Sequence, residues 1–79
     1  MIIDYWEKDD SGSEPNIYVG LQFEDEPDSL YVAELILAED RSIHKWGLLF
    51  NGFDCNYAFR EEEKDQITTY LKSQGLELL

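Results

Sequence analysis

Apolar and polar residues alternate cleanly from Ile17 to Phe23: Ile17, Val19, Leu21 and Phe23 share one parity, and Tyr18, Gly20 and Gln22 the other. A period of two predicts a strand with one buried face. The run is expected to stop at Glu26-Pro27-Asp28, because proline lacks a backbone donor and Asp28 and Ser29 suit a turn.

The stretch LLFNGFDCNYAF carries the sharpest local signal. Asn51-Gly52 between apolar runs predicts a two-residue hairpin, since both residues tolerate the positive φ that a type I′ turn demands. Pairing outward sets Phe50 opposite Phe53, Leu48 opposite Cys55, Trp46 opposite Tyr57 and His44 opposite Phe59. The large groups then share one face, so Cys55 and His44 are expected to point toward the core.

Residues 30 to 37, LYVAELIL, are apolar on both alternating faces, so periodicity alone leaves helix and strand open. The short distance between the turn at Pro27 and the turn in AEDRS favours a strand. A first strand from Met1 to Glu7 is joined to the second by the polar loop KDDSGSEPN. From Glu61 the pattern becomes helical, with acids near the first turn, a stripe of Ile67, Tyr70 and Leu71, and Gly75 placed to end the helix with Leu76 folding back. The tail LELL packs beside the helix or adds a short edge strand. The expected fold class is α+β: an antiparallel meander of four or five strands over about residues 1–60, with one C-terminal helix at about 61–74 on one face.

Seventy-nine residues suit a single domain, and 43% hydrophobic content argues for folding despite a net charge of −12. The charge is lopsided: residues 1 to 40 hold twelve acids and one base, whereas residues 41 to 79 hold six acids and five bases. Asymmetry of this kind informs about partners rather than fold. One cysteine cannot form an internal disulfide, and MIIDYWEKDD shows no basic segment followed by an apolar run, so a cytoplasmic, non-membrane protein is expected.

The acids fit no calcium loop, since Gly12 comes too early in the frame and Pro27 stiffens the other candidate. One cysteine and one histidine cannot build a tetrahedral zinc site. Neither a phosphate loop, a serine elbow nor an HExxH pattern occurs, so no catalytic residue, cofactor or metal is expected. Direct nucleic-acid binding is disfavoured because six bases among eighteen acids would repel a polyanion.

A surface for a basic protein remains. In a meander, Asp9, Asp10 and Glu14 share one end with Glu39 and Asp40, while Glu24, Asp25, Glu26 and Asp28 share the other with Asn51-Gly52. Alternate carboxylates on extended chain lie about 7 Å apart, comparable with phosphates along a nucleic-acid strand. Charge steers association and buried anchors hold it; Trp6 is the first choice of anchor, and Tyr31 also belongs to the acidic half. The expected partner is therefore a basic nucleic-acid-handling protein, either a nuclease toxin held by its immunity protein or antitoxin, or a restriction or CRISPR complex blocked by a phage-type mimic. The alternative is a non-catalytic interaction module or homo-oligomer joined through the second apolar face of residues 30 to 37.

Overall fold

Five antiparallel strands follow one another across a single sheet: β1 (Ile2–Asp9), β2 (Asn16–Phe23), β3 (Glu26–Leu37), β4 (Ile43–Phe50) and β5 (Phe53–Asp54). One helix, α1 (Glu61–Ser73), closes the chain. The computed structural model describes residues 1–12 and 14–79; residue 13, within the expected KDDSGSEPN loop, lies outside them. The α+β meander expected from the sequence is the observed fold.

The core lies between one sheet face and the helix. Ile17, Val19 and Leu21 of β2, Ala33, Leu35 and Leu37 of β3, and Ile67 and Leu71 of α1 are fully buried. Residues 30 to 37 form a strand because pairing with β2 and β4 sends alternate side chains to this layer, Ile17 against Leu35 and Leu35 against Trp46. Val32, Glu34 and Ile36 face the other way, beside Tyr18 and Leu49, and stay half-buried on the open side of the sheet.

A bulge in β1 alters the expected parity. Ile3 pairs with Leu21 but Tyr5 pairs with Gly20, leaving Asp4 as the extra residue. Ile3 and Trp6 consequently both pack against the core, and Tyr5 swings to the open face over Gly20. A Cβ at Gly20 would overlap the Tyr5 ring. Trp6, the first choice of anchor, is half-buried and packs against the core.

The β2–β3 connection also departs from expectation. The turn is Glu24-Asp25, and Glu26, Pro27 and Asp28 already belong to β3. Phe23 pairs with Glu26 and Leu21 with Tyr31, so Gln22 stands opposite the whole of Pro27–Leu30, which bows outward. Pairing with β4 reaches only to Val32, so the missing donor of Pro27 costs no bond on that side.

Asn51 and Gly52 take φ of 52° and 82°, and the β4–β5 register is the one expected, Phe50 with Phe53 and Leu49 with Asp54. The Cys55 amide adds one more bond, donating to the Leu48 carbonyl at 2.9 Å. There the pairing ends: Asn56 adopts φ of 55° and its amide donates to Asp54 Oδ1 at 2.7 Å, turning the chain out of the sheet. Tyr57 and Phe59 thus do not pair with Trp46 and His44, although the Phe59 ring still packs 5.4 Å from that of Trp46. Cys55 and His44, expected to face the core, are both exposed.

The helix ends as the sequence suggests. Gly75, at φ 92°, donates to the Lys72 carbonyl, and Leu76 donates to Leu71 at 3.1 Å and is buried. The tail adds no strand; the Leu79 amide donates to the Arg41 carbonyl at 3.0 Å and Leu78 packs against the core.

Candidate functional site

The two acidic ends foreseen from the meander are present, and they are built differently. At the first, the β1–β2 loop and the β3–β4 turn lie side by side, tied by the Leu37 amide donating to the Pro15 carbonyl at 3.0 Å. Here two of the five carboxylates, Asp9 and Asp40, serve their own turns. Asp9 Oδ1 accepts from the Ser11 hydroxyl at 2.6 Å and amide at 2.9 Å, and Asp40 Oδ1 accepts from the Ser42 hydroxyl and amide. These bonds favour the charged form, so both carboxyls are held below the ordinary aspartate value. Asp10 pairs with Lys8 at 3.5 Å. Glu14 and Glu39 are exposed.

The second end brings its carboxylates against aromatic rings. Glu24 and Asp25 form the β2–β3 turn, Glu26 opens β3, and Asp28 lies in the bowed segment; all four are exposed. Glu24 stands 3.3 Å from the Met1 amine, and Glu26 accepts from the Tyr31 hydroxyl at 2.9 Å, which holds Tyr31 above the ordinary tyrosine value. Among the described residues, Asp25 and Asp28 have neither an ion pair nor a side-chain hydrogen bond. The Tyr31 ring lies between Phe23, with centroids 5.2 Å apart, and Phe50, at 5.0 Å; Tyr57 stands 5.7 Å from Phe23 on the other side. Tyr31, the other aromatic residue named from the sequence, is half-buried beside the acidic turn.

The departure of the chain after Asn56 opens space beneath this turn. A cleft of about 280 Å³ is lined by Phe23, Asp25, Glu26, Tyr31, Tyr57 and Arg60, with Leu48 and Cys55 completing it. An adjoining hollow of about 380 Å³ shares Phe23, Asp25 and Arg60 and runs to Glu62 and Gln66 on the helix.

Glu63 fixes the wall between cleft and helix. Only 5% exposed, it accepts from the Tyr57 hydroxyl at 2.8 Å and from the Arg60 backbone amide at 2.9 Å, with the Arg60 guanidinium at 3.6 Å. Burial pushes its carboxyl up, but those donors outweigh burial and hold it below the usual glutamate value. Tyr57 is raised, by burial first and then by its bond to the Glu63 carboxylate. One side chain thus caps the helix, orients Tyr57 and holds Arg60 at the cleft.

Sequence reasoning named the acids and Tyr31 but missed Phe23, Tyr57, Arg60 and Glu63 as a group. The signal lay in Asn56, a residue that tolerates the left-handed region and so can end a strand two residues after a tight turn.

Among the described residues, no group of three or more His, Cys, Asp or Glu is arranged to hold a metal ion. No helix is long and apolar enough to cross a membrane. Comparison with protein-family models, with curated proteins and with solved structures finds no match.

Proposed function

We propose that this chain is a small, non-catalytic, acidic inhibitor that binds and blocks a basic nucleic-acid-handling protein. The observation that carries the reading is the β2–β3 end, where exposed Asp25 and Glu26 rim an aromatic cleft, Glu24 borders the adjoining hollow and exposed Asp28 follows in the bowed segment. Carboxylates there draw a basic surface in, and half-buried rings beside them supply the apolar contact that charge alone lacks. Two roles share this physics: an immunity protein or antitoxin against a nuclease toxin, and a phage-type mimic against a restriction or CRISPR complex. In either role the chain works in the cytoplasm, where exposed Cys55 stays a thiol.

The test is capture on the immobilised chain, elution by a salt gradient, and assay of the eluted protein's nucleic-acid activity with and without added chain. A basic nuclease or guided complex that leaves at raised salt and is inhibited supports the reading. Recovery of the chain alone, or of a protein it does not inhibit, overturns it.

A second reading rests on the open face of the sheet, where Tyr18, Val32, Ile36 and Leu49 lie half-buried on the side away from α1. A self-associating module would pair two such faces. A solution mass of twice the chain that falls to one chain in the Val32→Lys, Ile36→Lys variant would favour it over the inhibitor.

A further inference from the structure

The cleft of about 280 Å³ has a definite chemical character. Its walls are the rings of Phe23, Tyr31 and Tyr57 and the apolar side chain of Leu48. Its rim carries Asp25 and Glu26, both exposed, and Asp25 borders the adjoining hollow as well. Flat π-surfaces beside carboxylates favour a cation that is itself flat: a guanidinium stacks on a ring and donates two parallel hydrogen bonds to one carboxylate, whereas an ammonium does the first less well and the second not at all. The chain's own Arg60 lines both spaces with 70% of its side chain exposed, held at the edge by Glu63. A guanidinium is thus already accommodated at this border, and its charge is the one cationic side chain among those lining the cleft.

We propose that the cleft receives an arginine side chain of the basic partner, stacked on the aromatic wall and paired with Asp25. This rests on the reading of the chain as a binder of a basic protein, and it names which acidic end makes the contact and through what. Asp25 is the natural counter-ion because Glu26 is engaged by the Tyr31 hydroxyl. At the first acidic end Asp9 and Asp40 are bound to their own serines and Asp10 to Lys8, and exposed Glu14 and Glu39 line neither the cleft nor the adjoining hollow. Arg60 acts as a local brake, repelling the incoming charge and sharpening the requirement for a precisely placed counter-ion.

The experiment uses the full chain, isotope-labelled, titrated with a capped tripeptide bearing arginine between two glycines and, separately, with the citrulline tripeptide, its neutral near-isostere. Saturable shifts of the amide resonances of Asp25, Tyr31, Cys55 and Tyr57 with the arginine probe, absent with citrulline, are expected. Location is separated from net charge by matched variants. Asp25→Asn should weaken the probe about two- to tenfold and Asp10→Asn should not, while Arg60→Ala should tighten it more than Lys72→Ala does. Shifts spread equally over both acidic ends, equal response to citrulline, or no shift at all would overturn the proposal. Because the probe needs no partner, the two readings fail separately. Cleft binding by a chain that inhibits nothing keeps the site and removes the function. An inhibited partner indifferent to Asp25→Asn keeps the function and removes the site.

Discussion

The two acidic ends of this sheet have similar composition and opposite organisation. Around Asp9 and Asp40 the carboxylates fold inward on their own loops, each accepting two bonds from a serine two residues ahead. Around Asp25 they stand over an aromatic wall whose position is fixed by the buried Glu63 beneath. The first arrangement spends negative charge on local geometry; the second leaves it presented to solvent beside surface that water covers poorly. Counting charges cannot separate these cases, and the cleft can: Asp25 and Glu26 line it, and none of Asp9, Asp10, Glu14, Glu39 and Asp40 does.

The largest expected effect breaks the support of the second end. Glu63→Ala leaves the Tyr57 hydroxyl and the Arg60 amide without their acceptor and should cost about 2–3 kcal/mol, a fall of roughly 10–20 °C in a thermal melt of a domain this size. Its pH signature has a fixed sign. A carboxyl whose folded pKa is lowered stabilises above its unfolded value, near 4.3 for glutamate, and loses that contribution as pH falls through the folded value. The stability gap between the natural chain and Glu63→Gln should therefore be full at neutral pH and close below about pH 4, as urea titrations at stepped pH would read.

Next in size is the effect on association. Reversing Asp25 and Asp28 to lysine should slow binding of the proposed basic partner about tenfold at low salt, while reversing Asp10 and Glu39 slows it less, and the difference should fade as salt is raised. Stopped-flow rates at two ionic strengths decide this; equal slowing from both ends would leave only a diffuse field. The smallest effect belongs to the turn aspartates. Asp40→Ala should lower the melting temperature by less than Glu63→Ala does, with no change in partner affinity, since its bonds to Ser42 are exposed.

The strands β2 and β4, the Asn51-Gly52 turn and the helix with its Gly75 terminus were readable because each is written in a short-range period or a conformational demand that few residues meet, whereas the period of residues 30 to 37 left helix and strand open and only the short distance between turns favoured β3. What was not readable depended on single residues that shift register without altering composition. Asp4 is an ordinary strand-exterior residue by type, yet as a bulge it carries Trp6 to the core. Pro27 marks a turn by propensity, but the bowed segment Pro27–Leu30 lets it sit inside β3. Asn56 ends β5 early and exposes Cys55, and Glu63 reads as one more acid at a helix start although it faces inward. For the site, the acidic positions were legible and the cleft was not, because the cleft exists only where the chain between Asn56 and Arg60 leaves the sheet.

The Tyr5 ring over Gly20 carries a consequence for how this sequence can drift. The two positions share one volume: residue 20 can gain a side chain only if the Tyr5 ring is displaced or replaced by a smaller group, and the intermediate is costlier when the larger group arrives first. A library randomised at both positions and selected for folding should return a large residue at one of them and a small one at the other, with double-large combinations depleted.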